Sequence, residues 1–429
     1  MPHCDYKKVL RWRYCVLFIL LAPILTLLLF SPPVHADGGF PIIGVLHAGQ
    51  RPEGIAVDTR THMVYIAYEF PSFVVGFDPI RGKVRWKVAT GESATDVQVD
   101  ITNHRVYTIS IAKSGETGSL TALDGGSGKT LFTANTAPGD DGLAIDTQRQ
   151  RVYVSSSDTG IIDVFSLTTS PTGKISALSS TLKVGSHPQA IGVNSRLGRL
   201  YVGDRSAHTV TVIDEDSSRT LATIQVAAEP VQPLSVDETR GLVYVVCSTG
   251  QELDVIDGHT NKVIARVPVS PYPEGIASNT ATGRIYVAGE GNKETTFNDV
   301  NSGTTITAID GQSFELLGTL QVGRAPDGVA SDPALRRIYV SVEDSDAVVE
   351  ISDSSNLPLQ AAPNYHQAAA IHQAILLLQE ATAITVILMI FTIIGATLNA
   401  RSRRWRAPEI PQIPPGGVSS RLEQRTPPA

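Results

Sequence analysis

Cysteine is nearly missing: the 429-residue chain has three, Cys4, Cys15 and Cys247. Two of them lie in the first 36 residues, which read as a leader, so a processed chain keeps one. That excludes an intramolecular disulfide and a cysteine-based metal centre. Cys247 follows the strand-like run from Leu242 to Val246 and reads as a small buried hydrophobe. Tryptophan and methionine also number three each. Basic charge is short where it would matter for polyanions. The chain has a net charge of −7, but residues 37–397 alone carry −14, because the two ends are basic. A body that contacts phosphates needs the opposite balance, so nucleic-acid binding is excluded. Catalytic signatures are missing too: no His-Glu-x-x-His, no Gly-x-Ser-x-Gly elbow and no phosphate-binding glycine loop.

Long apolar runs are confined to the ends. Lys7, Lys8, Arg11 and Arg13 precede an apolar run from Val16 to Phe30, and Val34-His35-Ala36 places small residues at the −3 and −1 positions. Residues 1–36 therefore read as a secretory signal peptide, cleaved after Ala36. An uncleaved anchor would leave the body on the same side of the membrane. Near the other end, the uncharged run 381–398 opens at Ala381 and closes at Leu398, and Arg401, Arg403, Arg404, Trp405 and Arg406 follow at once. One C-terminal transmembrane helix is expected over 374–400, with Trp405 as interfacial anchor. The positive-inside rule then puts the Pro/Arg-rich tail 401–429 in the cytoplasm and the body outside. Residues 354–373 form the expected stalk linker. The expected location is the cell membrane, spanned once.

Between the ends one module repeats. An aliphatic residue followed by tyrosine recurs at Tyr65, Tyr107, Tyr153, Tyr201, Tyr244, Tyr286 and Tyr339, at spacings of 42, 46, 48, 43, 42 and 53 residues. Upstream of each lies a short strand ending in Asp or Asn, as in Gly54-Ile55-Ala56-Val57-Asp58. Downstream comes an aliphatic-Asp turn, such as Ile213-Asp214 or Ile256-Asp257, and then a fourth strand. Four short strands per unit, punctuated by Gly, Pro and Asp, predict propeller blades. The seventh unit has three strands, and the spare one, Ile42 to His47, precedes the first. The expectation is an all-β, seven-bladed β-propeller over 37–353, closed by an N-terminal strand that removes the exposed sheet edges.

The Pro-x-Gly-Ile/Val-Ala strand, the Tyr-Val strand and the Val-Ile-Asp turn resemble the YVTN-type β-propeller repeat family. Tyr201-Val202-Gly203-Asp204 with Val212-Ile213-Asp214, and Tyr339-Val340-Ser341-Val342, are the closest copies. The resemblance covers about 41–353 and implies the fold; such propellers host many roles. The second unit departs from the pattern at Ala94-Thr95-Asp96, and the third has Asp163-Val164-Phe165 in place of the usual turn. Resemblance to the seven-bladed bacterial lactonases is one of architecture and carries no catalytic residue across. Asp78-x-x-x-Gly82-Lys83-x-x-Trp86 resembles the tryptophan docking motif of quinone-cofactor propellers. Asp124-x-x-x-Gly128-Lys129 repeats half of it with Phe132, and three tryptophans are too few to furnish every blade. A structural turn is the better reading.

Loops alternate between the two ends of a propeller, so the residue before the recurrent glycine falls at one mouth of the central channel. Across the seven units it is Glu53, Thr95, Asp141, Gln189, Gln232, Glu274 and Asp327. Oxygen donors and negative charge suit a cationic ligand or a hard cation such as Ca²⁺, for which Glu53, Asp141, Glu274 and Asp327 would be the ligands. Crowded carboxylates should also raise one another's pKa by repulsion. The long sixth-unit loop, with Asn292 and Phe297, is a candidate contact element on the same face. Tyr68, Phe70 and Phe73 add expected apolar surface. Histidines fall at scattered unit positions, which argues against an imidazole metal cluster. Two functional readings follow. The favoured one is a non-enzymatic binding or scaffold module, without cofactor, whose membrane-distal face takes a partner protein or envelope ligand. The other is a divalent-cation-dependent, lactonase-like hydrolase with the acidic channel mouth as its site.

Overall fold

The repeated tyrosine is where the architecture starts. A computed structural model describes residues 42–354 except 92, 112–116, 171–173 and 292–301, and for residues 140, 232 and 302 it describes the backbone alone. The described chain forms seven four-stranded antiparallel sheets. Their inner strands are β2 (Gln50–Asp58), β6 (Ser93–Asp100), β10 (Asp140–Asp146), β14 (Pro188–Asn194), β18 (Pro230–Asp237), β22 (Pro273–Asn279) and β26 (Pro326–Asp332). The second strands are β3 (Met63–Phe70), β7 (Arg105–Ile111), β11 (Arg151–Ser156), β15 (Arg199–Asp204), β19 (Leu242–Cys247), β23 (Arg284–Gly291) and β27 (Arg337–Val342). Each second strand carries one of the seven tyrosines, and all are at most 2% exposed. Such burial is what an aromatic ring in a blade-to-blade seam contributes: large apolar area plus a hydroxyl that needs a partner.

For three of the seven that partner is supplied by the next blade. Tyr65 donates to the Gly125 carbonyl of the second blade at 3.2 Å. Tyr153 donates to Glu215 of the fourth blade at 2.9 Å, and Tyr286 to Asp353 of the seventh at 2.7 Å. Gly125, Glu215 and Asp353 each directly follow the third strand of their blade, β8 (Ser119–Asp124), β16 (Thr209–Asp214) and β28 (Ala347–Ser352). Trp86 reinforces the first seam by donating to the same Gly125 carbonyl at 3.0 Å and stacking on Tyr65. The docking-like motif thus places Trp86 as an interblade pin.

The Asp or Asn ending each inner strand caps the turn that follows. In all seven blades its Oδ1 accepts from a backbone N–H two or three residues on, from Arg60 N at 2.9 Å in the first blade to Leu335 N at 3.1 Å in the seventh. The residue four after the cap is left-handed each time: His62, His104, Gln150, Gly198, Gly241, Gly283 and Arg336. His62 and His104 therefore hold equivalent places, which corrects the view that the histidines are scattered. Each bonds the cap of the preceding blade, His62 to Asp332 at 2.7 Å and His104 to Asp58 at 2.6 Å. Exposed Arg336 sits at φ 50° without such a contact from its side chain among the hydrogen bonds of this turn. Arg336→Gly is expected to stabilise the chain by about 0.5–1 kcal/mol, seen as a small rise in Tm.

The ring closes as the repeat count requires. β1 (Ile42–Leu46) pairs antiparallel with β28, Val45 opposite Val349, and completes the seventh sheet in the order β1-β28-β27-β26. Ile42 and Ser352 consequently lie at the same end of that sheet, and the connections into the inner strands lie at the other. Among the described residues no helix is long and apolar enough to cross a membrane. The expected signal peptide, stalk, transmembrane helix and tail lie outside the described residues.

Candidate functional site

Four of the seven channel-mouth residues, Glu53, Asp141, Glu274 and Asp327, are followed by a glycine because neighbouring inner strands abut. A Cβ at Gly54 would run into the Thr95 carbonyl, at Gly142 into that of Gln189, at Gly275 into that of Asp327, and at Gly328 into that of Glu53. Each glycine therefore sets its own mouth residue beside the next blade's. Two seams add a hydroxyl pin. Gly142 N donates to Ser155 Oγ, which donates to the Gln189 carbonyl, and Gly328 N, Ser341 Oγ and the Glu53 carbonyl repeat the chain. The result is one cavity of about 290 Å³ lined by Glu53, Thr95, Asp141, Gln189, Glu274 and Asp327. Gln232 lies between two further lining residues, Val231 and Pro233; its side chain is outside the description. Asn292 and Phe297 lie outside the described residues.

Asp96 and Arg205 also line the cavity and were not singled out from sequence. Asp96 stands where other blades have Gly, Ala or Pro, and that departure was its visible signal. Its carboxylate accepts from Val97 N at 2.7 Å and from Leu143 N of the next blade at 3.2 Å. Burial pushes its pKa up to about 6, and the charge of Asp327 adds to the rise. Asp141 is raised as well, again chiefly by burial, while it accepts from Ser157 N at 3.1 Å. The rise at Asp141 has a different cause from the one expected: burial leads, and the like charge that adds to it is Asp158 rather than another mouth carboxylate.

The lining is rich in acceptors. Five carboxylates, Glu53, Asp96, Asp141, Glu274 and Asp327, face one guanidinium, Arg205, which is itself paired with Glu229 at 3.0 Å. Thr95 Oγ1 and Gln189 Oε1 are buried and have no hydrogen-bond partner among the described residues. A molecule that brings N–H donors or positive charge satisfies such a wall.

Carboxylates gather further at the mouth between the sixth, seventh and first blades. Oxygens of Glu53, Glu69 and Glu343 lie within 4.8 Å of one another, and so do those of Glu290, Asp327 and Glu343. Asp141 and Glu274 belong to neither group. Glu343 opens a short 3₁₀ turn in the loop after β27, and Glu69 and Glu290 end second strands. The first group already holds a cation of the chain's own. Arg51 pairs with Glu69 at 3.0 Å and with Glu343, and its guanidinium lies 5.9 Å from the Phe70 ring centre. Phe70 is 49% exposed, whereas Tyr68 and Phe73 are buried and stacked on each other. Of the three expected surface aromatics only Phe70 is one.

Charge also separates the two ends of the ring. Among the described residues in the mouth-side connections and at the adjoining ends of the three inner strands of each blade, the arginines are Arg51, Arg205 and Arg324, with no lysine; every blade contributes at least one acid. On the opposite side acids interleave with Arg81, Arg149, Arg199, Arg240, Arg284 and Arg337, and many are paired. The excess negative charge of the body therefore collects on the mouth side.

No family model matches the chain. Two curated proteins are similar over 257 residues at 23% identity, covering 58% of this chain and 71% of theirs; both are named uncharacterized protein YncE, from Salmonella typhi and from Salmonella typhimurium. A chain in the crystal structure of a mitotic checkpoint complex superposes with a TM-score of 0.60 at 15% identity, covering 75% of this chain and 94% of that one. The likeness shows the propeller fold.

Proposed function

We propose that this chain is a membrane-anchored, extracytoplasmic binding module whose channel-mouth face takes a cationic partner or ligand. The observation that carries the reading is the acceptor-rich cavity, with its unpaired Thr95 and Gln189 oxygens set among five carboxylates. Propellers commonly serve as binding or scaffold modules, a rigid ring that presents loops. The YVTN-type repeat assignment belongs to the same reading and rests on the in-register Tyr-Val and Ile-Asp segments. Anchoring through 381–398 would hold the body with its mouth outward, since Ile42 and Ser352 both lie at the other end of the closing sheet.

The test uses the full-length chain in nanodiscs and a fluorescent octa-arginine peptide at low salt. The peptide is expected to bind, and the triple variant Glu53→Gln/Glu274→Gln/Asp327→Asn is expected to weaken it at least about tenfold. Glu315→Gln, an exposed acid at the opposite end, should change affinity less than about twofold. Equal binding by the triple variant would refute the mouth as the site. Protease applied to intact cells checks the placement: digestion restricted to the tail 401–429 would refute an external body.

A further inference from the structure

We propose that the seam between the third and fourth blades is a proton-held latch, in which Glu215 carries a proton against Asp146 and the seam loosens when that proton is lost. Glu215 occupies the place that is glycine after the corresponding strands of three other blades, at Gly125, Gly258 and Gly311. Its side chain is fully buried and lines a cavity of about 110 Å³ with Arg151, Tyr153 and Asp216.

The groups around it do not balance. From the third blade, Asp146, Arg149, Arg151 and Tyr153 face Glu215; from its own turn, Asp216 does. Arg149 serves three carboxylates at once: Asp146 at 3.1 Å, Asp216 at 2.9 Å and Glu215 Oε2 at 3.6 Å, the last beyond hydrogen-bond reach. Arg151 gives Nη1 to the Glu215 main-chain carbonyl instead. Tyr153 donates to Oε1, which leaves Oε2 without a hydrogen bond of its own. Asp216 is 69% exposed and is served by water, but Asp146 and Glu215 are both fully buried beside the one guanidinium of Arg149, so one of these two keeps its proton. Glu215 is that one. Burial, then the charge of Asp146, pushes its pKa up to about 8, while Asp146 stays below its ordinary value despite burial, through the Arg149 main chain and the interaction with Glu215.

The equivalent acid at the sixth seam is built differently. Asp353 accepts from Asn279, Thr282, Arg284 and Tyr286 and has no second carboxylate among these partners. The latch is therefore particular to one seam of the ring.

The sign follows from linkage. Glu215 prefers its proton more in the folded chain than in the unfolded one, where its value is about 4.5. Its contribution to stability is complete below that value and is lost as pH rises through about 8. For the full-length chain the unfolding equilibrium should rise by up to about tenfold per pH unit between these limits. Glu215→Gln, which keeps the shape and stays neutral, should remove that slope. Infrared spectra should show a protonated-carboxyl band at neutral pH that titrates away in alkali and is missing in Glu215→Gln. Asp96, raised only to about 6, loses its proton earlier, so a band that titrates near 8 on the wild-type chain decides even if the variant fails to fold. Identical pH slopes for wild type and variant, or no titrating band, would overturn the proposal.

Discussion

Replacing Asp353 by alanine is expected to cost about 3–5 kcal/mol and lower Tm by roughly 10 °C. Asp353 is fully buried at the end of the closing blade and accepts four hydrogen bonds from the sixth: Asn279 Nδ2 at 2.7 Å, Thr282 Oγ1 at 2.6 Å, Arg284 Nη1 at 2.8 Å and Tyr286 OH at 2.7 Å. The loss exceeds that of one bond because the partners stay behind. Arg284 is only 15% exposed, and its charge would lose the carboxylate it pairs with in the seam. Adding Arg284→Met to Asp353→Ala should therefore recover part of the stability, since an apolar pair is cheaper to bury than a guanidinium that has lost its carboxylate. Thermal melts of the two variants check this. A double variant that melts below the single one would show that the charge imbalance is not the cause.

What could be read from the sequence follows the repeat. Each tyrosine shares one packing environment, so its period survives variation in loop length, and the strand missing from the seventh unit pointed to β1. The mouth residues were readable because four of them precede a glycine fixed by contact with the next inner strand, and the repeat carries that register to Thr95, Gln189 and Gln232. Glu343, Glu69 and Arg51 escaped notice for the opposite reason. Glu343 lies in the connection between second and third strands and Glu69 at the edge of one, and those connections differ in length from blade to blade and give no register. Tyr68 and Phe73 looked like loop aromatics. Their burial depends on Gly49, where a Cβ would meet both rings. The tyrosine hydroxyl partners were hidden as well, since a main-chain carbonyl at Gly125 serves the same purpose as a carboxylate at Glu215 or Asp353. Pattern shows which positions matter; the chemistry across a seam appears only when two blades are placed side by side.

Arg51→Met should turn a carboxylate group that already holds a cation into one that requires one. In the folded chain Arg51 is 43% exposed, but Glu343, with which it pairs, is only 5% exposed and Glu69 19%. Removing the guanidinium leaves these acids and Glu53 facing one another across less than 4.8 Å. Because Arg51 is partly solvated, the expected loss is about 2–3 kcal/mol at neutral pH, less than for a fully buried pair. Two conditions should reverse it. Mild acid would protonate one of the crowded carboxylates. Calcium would enter among oxygen donors of the kind it prefers and, at about 100 times its dissociation constant, return about 2.7 kcal/mol. Thermal melts with and without millimolar Ca²⁺ should then show a shift of several degrees for Arg51→Met and a much smaller one for the wild-type chain, whose own arginine fills the group. A calcium response of equal size in both would mean that the ion binds among acids that Arg51 does not pair with, and Glu290 and Asp327 would be the next to neutralise.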